Sequence, residues 1–174
     1  MRLFLAIRLP APVIEFCIDV QKRLSPVIER QGVRFTAAQK LHLTVSFLGD
    51  DYDESIVLAK VLASRATSRV IELEAGGLGA FPTMARPKTV WMGVSGPELD
   101  DVAHRLSSEF GVGSSEFSGH VTIARVSPGS KAVGRALAPF AAEFKESISW
   151  SASEIELLAT LPNGEYQTLG RYFL

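Results

Sequence analysis

Cysteine is almost missing from this chain: among 174 residues only Cys17 carries a thiol. An intramolecular disulfide is thereby excluded, a cysteine-built zinc site has no ligand set, and a reducing cytoplasm is the expected location. A basic excess is missing too. With 18 Lys and Arg against 19 Asp and Glu, the net charge is -1, which argues against a protein that tracks long nucleic acid by charge alone. A grip on one phosphate stays open. Long apolar runs are also absent. The opening segment holds five apolar residues between Arg2 and Arg8, too few for the core of a signal peptide. No run approaches the ~18 residues of a membrane-spanning helix, so no membrane partner is expected. Apolar residues are nevertheless plentiful, 47% of the chain. A chain of this size buries about 70% of its unfolded surface, enough for one core without disulfides or a structural metal. The expectation is a monomer with a single domain over 1–174, built as two lobes.

Hydrophobic periodicity orders the elements. Leu3 to Leu9 reads as a strand that stops at Pro10 and Pro12. A helix follows from Ala11 to about Arg30, with Val13, Phe16, Val20, Leu24, Val27 and Ile28 at three- and four-residue steps. Val33 to Phe35 looks extended, and Leu41 to Leu48 alternates, with His42, Thr44 and Ser46 on the polar face. A helix is expected over 53–68. Strands are expected at 70–74 and 88–94, joined by the glycine-rich stretch from Gly76 to Pro82, with a helix over 97–110. The same order then recurs: a strand at 119–126, a helix at 131–142, strands at 147–151 and 154–160, and an Asn163-Gly164 turn into a last strand from Tyr166.

The recurrence is also one of motif. His42-Leu43-Thr44-Val45 and His120-Val121-Thr122-Ile123 share a pattern in a chain with only three histidines. Residues i and i+2 of a strand stand on one face about 6.6 Å apart, so each motif presents an imidazole beside a hydroxyl. Packed about a pseudo-twofold axis, the two imidazoles face each other across a gap that fits one phosphate. In-line displacement at phosphorus needs a proton acceptor on one side and a donor on the other. Two histidines, with an ordinary pKa near 6.5, supply both without a metal or other cofactor. The threonine hydroxyls and an arginine can hold the non-bridging oxygens. A two-histidine metal site competes with this reading but has no third ligand nearby in sequence. His104, on a helix, reads as an ordinary surface residue.

Leu41-His42-Leu43-Thr44-Val45-Ser46-Phe47-Leu48-Gly49, His120-Val121-Thr122-Ile123-Ala124-Arg125 and the Arg2-Leu3-Phe4-Leu5-Ala6-Ile7 start resemble the 2H phosphoesterase superfamily. Within it, the chain is similar to the RNA 2',3'-cyclic phosphodiesterases, also called 2'-5' RNA ligases. The Gly77-to-Pro82 stretch and the closing Leu161-Pro162-Asn163-Gly164 add to the likeness. The resemblance implies an α+β, bilobed, duplicated fold in which two antiparallel sheets form a V-shaped cleft, helices outside. It implies a hydrolase that opens RNA or nucleotide 2',3'-cyclic phosphate ends to 2'-phosphates, with reversible 2'-5' ligation in some members. His42 would be the acid and His120 the base, labels open to exchange, and Thr44 and Thr122 the phosphate clamps.

Arg125 matches the phosphate-binding arginine that follows the second motif. Strand alternation places it on the face opposite His120 and Thr122, so a bulge or strand end must re-aim it. The same alternation assigns Phe47 to the core, and Trp91, Trp150 and Tyr166 read as packing residues. Rival functions are a non-catalytic module for nucleotides or RNA ends, and a phosphodiesterase for ADP-ribose 1'',2''-cyclic phosphate.

Overall fold

The computed structural model describes residues 2–28, 32–49, 70–111, 117–127 and 131–174. Along them run β1 (Arg2–Arg8), α1 (Ala11–Ile28), β2 (Val33–Phe35), β3 (His42–Gly49), β4 (Ile71–Thr83) and β5 (Arg86–Ser95). After these come α2 (Leu99–Glu109), β6 (His120–Val126), α3 (Lys131–Glu143), β7 (Ser147–Ala152), β8 (Glu154–Thr160) and β9 (Tyr166–Phe173). The helix expected over 53–68 lies outside the described residues. No helix among those described is long and apolar enough to cross a membrane.

The strands lie in the order β7-β4-β5-β6-β3-β1-β8-β9, with β2 beside β6. Every pairing is antiparallel. This order is a dyad: each histidine strand stands at the inner edge of a four-stranded half. The two sheets expected from the resemblance are these halves, and they join at a seam where one pair, Leu43 and Val121, is in register.

One face of the sheet carries the main core. Val13, Cys17, Val20, Leu24 and Ile28 of α1, Leu99, Val102 and Leu106 of α2, and Val133 and Leu137 of α3 all pack there. They meet Leu43, Val45, Val121 and Ile123 from the two histidine strands. Burial pushes the Cys17 thiol up to about 12, so it is an inert apolar filler. The opposite face is left for the histidines. Under it lies a second, smaller cluster of Phe4, Ala6 and Leu158 packed with Tyr166. That explains the unbroken apolar run of β1, a central strand covered on both faces.

The glycine-rich stretch from Gly76 is not a connector, as the sequence suggests, but the second half of a 13-residue strand. Gly77, at φ 65°, is an extra residue between the pairs Gly76–Gly93 and Leu78–Met92. At Gly79 the Trp91 indole lies so close to the backbone that a Cβ would collide with it. Both are uses of glycine inside strands, a bulge and a close approach.

Candidate active site

Antiparallel pairing at Leu43–Val121 fixes what surrounds the seam. Stepping one residue each way sets His42 opposite Thr122 and Thr44 opposite His120, on the face away from the core. The two motifs therefore interleave, each imidazole diagonal to the other. Both histidines are anchored alike: Nδ1 of His42 donates to the Lys40 carbonyl at 2.7 Å, and Nδ1 of His120 to the Ser118 carbonyl at 2.7 Å. Each carbonyl belongs to the residue two positions earlier. With the proton held on Nδ1, Nε2 is the ring nitrogen free for chemistry. Nε2 of His42 lies 3.0 Å from Thr44 Oγ1.

Burial pulls the His42 pKa below the ordinary imidazole value. The Lys40 carbonyl partly offsets this, and the charges of Arg8 and Arg125, with the neighbouring His120, add to the depression. Two guanidiniums, Arg8 and Arg125, thus act on His42. Arg8 is its cross-strand neighbour, held by Glu156 through Nε at 2.8 Å. Arg171 reaches the other Glu156 oxygen at 3.0 Å, and Thr168 donates at 3.1 Å to the oxygen that holds Arg8. One carboxylate thus serves two arginines, and the charge of Arg8 is only partly offset.

Arg125 shares the cleft face with the histidines, and the cause is a bulge. Val90 pairs with Ala124 and Trp91 with Thr122, leaving Ile123 as an extra residue. Ile123 and Ala124 are both buried while Arg125 is exposed. The alternation flips there, as a bulge requires. The bulge is fastened: the Ile123 carbonyl accepts from the Thr36 amide at 2.9 Å and from Gln21 Nε2 at 2.9 Å. The same Gln21 amide donates to the Thr36 carbonyl at 2.8 Å.

The first motif carries the same defect, and this corrects the assignment of Phe47 to the core. Leu5 pairs with Ser46 and Ala6 with Thr44, so Val45 is extra. Phe47 emerges on the cleft face, 60% exposed, its ring 6.0 Å from Phe4. Tyr166 and Trp91 pack as expected, Tyr166 on the Phe4 cluster and Trp91 against Phe81, and both reach the histidine rings. Tyr166 and Phe4 each lie 5.2 Å from the His42 ring, and Phe81 and Trp91 lie 5.1 and 6.2 Å from that of His120. Trp150 is buried as expected. His104 sits exposed on α2, apart from this cluster. Among the described residues no three His, Cys, Asp or Glu side chains are grouped to hold a metal ion.

A duplicated antiparallel fold with a His-x-Thr strand from each half at its centre defines a 2H-type phosphoesterase. The model of the 2'-5' RNA ligase superfamily matches residues 15–163, and the chain belongs to that superfamily. It is 30% identical over 131 residues to the RNA 2',3'-cyclic phosphodiesterase of Archaeoglobus fulgidus, covering 72% of this chain and 73% of that protein. With the Methanocaldococcus jannaschii protein of the same name it shares 28% over 130 residues, 72% of each chain. The crystal structure of Escherichia coli LigT complexed with 3'-AMP aligns at a TM-score of 0.72 and 26% identity, covering 99% of this chain and 97% of that one. LigT has also been solved with phosphate. The chain is accordingly an enzyme, a hydrolase of the phosphodiesterase type.

Proposed function

We propose that this protein hydrolyses the 2',3'-cyclic phosphate at an RNA or nucleotide end to a 2'-phosphate, with His42 and His120 as the proton-transferring pair and no metal. The observation that carries the reading is the Leu43–Val121 register, which brings two identically anchored imidazoles to one seam. Water attacks phosphorus on one side while O3' departs on the other; one imidazole takes the water proton and the other protonates O3'. Charge building on the non-bridging oxygens is met by the hydroxyls of Thr44 and Thr122 and by the Arg125 guanidinium.

The resemblance makes His42 the acid and His120 the base; the electrostatics favour the exchange. Burial, with Arg8 and Arg125 nearby, disfavours the charged form of His42; a base starts from the neutral form, so the base role goes to His42 and the acid role to His120. Phe47 offers a face for the terminal base. If a 5'-hydroxyl attacks in place of water, the same pair forms a 2'-5' linkage, which is the ligation the superfamily is named for.

Incubation with a 2',3'-cyclic nucleotide and a cyclic-phosphate-ended RNA, in the presence of a chelator, tests the proposal. Release of the 2'-phosphate supports it. No turnover, or turnover that requires added metal, overturns it.

A further inference from the structure

Arg8 and Arg171 are held by Glu156, and Arg23 by Glu146. Arg34 and Arg125 differ. They face each other in register across β2 and β6, and neither side chain has a hydrogen-bond or ion-pair partner among the described residues. Directly opposed side chains leave a sheet on one face with Cβ atoms about 5 Å apart, and like charges so placed repel. Val33 and Phe35 pack on the core, so Arg34 points the other way. The Ile123 bulge puts Arg125 on that same face. The charge of Arg125 acts on His42, whereas that of Arg34 is not among those that do. Positive charge therefore runs outward from the seam, Arg125 first and Arg34 next.

An anion shared by the two guanidiniums relieves their repulsion, and their forked N–H groups suit phosphate oxygens. A cyclic phosphate end of RNA supplies that anion: its last nucleotide carries an internucleotide phosphodiester on its 5' side, which a mononucleoside cyclic phosphate lacks. We propose that Arg34, together with Arg125, binds this internucleotide phosphate, so that the cleft takes the end of a single RNA strand in preference to a mononucleotide. The proposal rests on the reading of the seam as a cyclic phosphate site.

Calorimetry with two product-type ligands tests it: adenosine 2'-phosphate, and a diadenosine ribonucleotide ending in a 2'-phosphate, each over a salt series. The dinucleotide is expected to bind about tenfold tighter, the lower end for a charged hydrogen bond. Its log–log salt slope should be steeper by about 0.7, the value for one single-strand phosphate neutralised. In Arg34→Gln most of both differences should vanish, while Arg34→Lys should keep the slope. An Arg34→Gln protein that keeps the full preference, or weakens for both ligands equally, overturns the proposal. Failure of the catalytic reading looks different. Absence of turnover by the unmodified protein, with an Arg34-dependent dinucleotide preference intact, removes hydrolysis and keeps this phosphate site.

Discussion

Gln21 is buried on α1, on the core side of the sheet, yet it is tied to the backbone that aims Arg125. Its buried amide donates two hydrogen bonds, to the carbonyls of Thr36 and Ile123, and so ties α1 to the bulge that aims Arg125. In Gln21→Leu the volume is kept while both donors vanish. The Ile123 carbonyl retains the Thr36 amide, so one carbonyl is left worse off than the other. An unsatisfied buried acceptor costs roughly 1–3 kcal/mol, and for a chain of this size each kcal/mol lowers Tm by about 2–4 °C. The expected loss is about 2–12 °C by thermal unfolding, with a rise in KM for the cyclic phosphate as Arg125 loses its aim. Gln21→Glu sharpens the test. A carboxylate buried against two carbonyls has its pKa raised above the unfolded value near 4.3. The neutral acid can still donate once, so stability is fullest below that unfolded value and is lost as pH rises through the folded one. A Gln21→Glu protein no less stable at pH 8 than at pH 5, or a Gln21→Leu protein with unchanged Tm, would refute the reasoning.

His42→Ala and His120→Ala should each lower turnover by about 10²-fold or more, the scale of a lost acid or base; a near-normal rate in either frees that residue from the mechanism. Because the His42 pKa is depressed, the acid limb of the kcat/KM profile should fall below pH ~6.5 and disappear in His42→Gln; its disappearance in His120→Gln instead restores the opposite labels. In Glu156→Gln, Arg8 loses its counter-charge and the His42 pKa drops further, so that limb should move to lower pH still, and an upward shift would contradict the electrostatic account. Phe47→Ala should weaken nucleotide binding by roughly 5- to 150-fold, the span of about 1–3 kcal/mol for a stacked base, read by calorimetry; unchanged affinity would remove Phe47 from the base site.

Much of this was legible because periodicity and motif agree. Val33 to Phe35 and Glu154 to Thr160 form strands with the bounds expected, and the two His-x-Thr segments occupy the inner strands of their halves. Three misreadings have physical causes. Glycine usually marks a loop, but Gly77 and Gly79 act inside β4, one as a bulge and one as a seat for an indole. The period of two predicts faces only while the ladder is regular, and extra residues at Val45 and Ile123 reverse it. The neighbours Arg8, Glu156 and Tyr166 come from β1, β8 and β9, far away in sequence and without a local motif. They are brought in by cross-strand pairing alone.

The two bulges explain why a symmetric backbone makes an asymmetric site. Val45 and Ile123 stand three residues after their histidines, so in each half the residue five after the histidine turns to the cleft. In one half that residue is Phe47, in the other Arg125. Aromatic rings flank both imidazoles, Phe4 and Tyr166 that of His42 and Phe81 and Trp91 that of His120; the first half adds Phe47 against Phe4 and an ion pair between Arg8 and Glu156. The second leaves Arg125 uncompensated, with Arg34 beyond it. On the proposed mechanism this division orients the substrate. An apolar base is drawn to the first half and the anionic chain to the second, and the cyclic phosphate falls between them at the seam where Leu43 meets Val121. Exchanging Phe47 and Arg125 would preserve the pseudo-symmetry of the strands and reverse the polarity of the cleft. Such a double variant should bind dinucleotide more weakly than either single variant predicts, because stacking face and cation would then each meet the wrong end of the nucleotide. Simple additivity of the two single effects would show instead that the two positions act independently of substrate orientation.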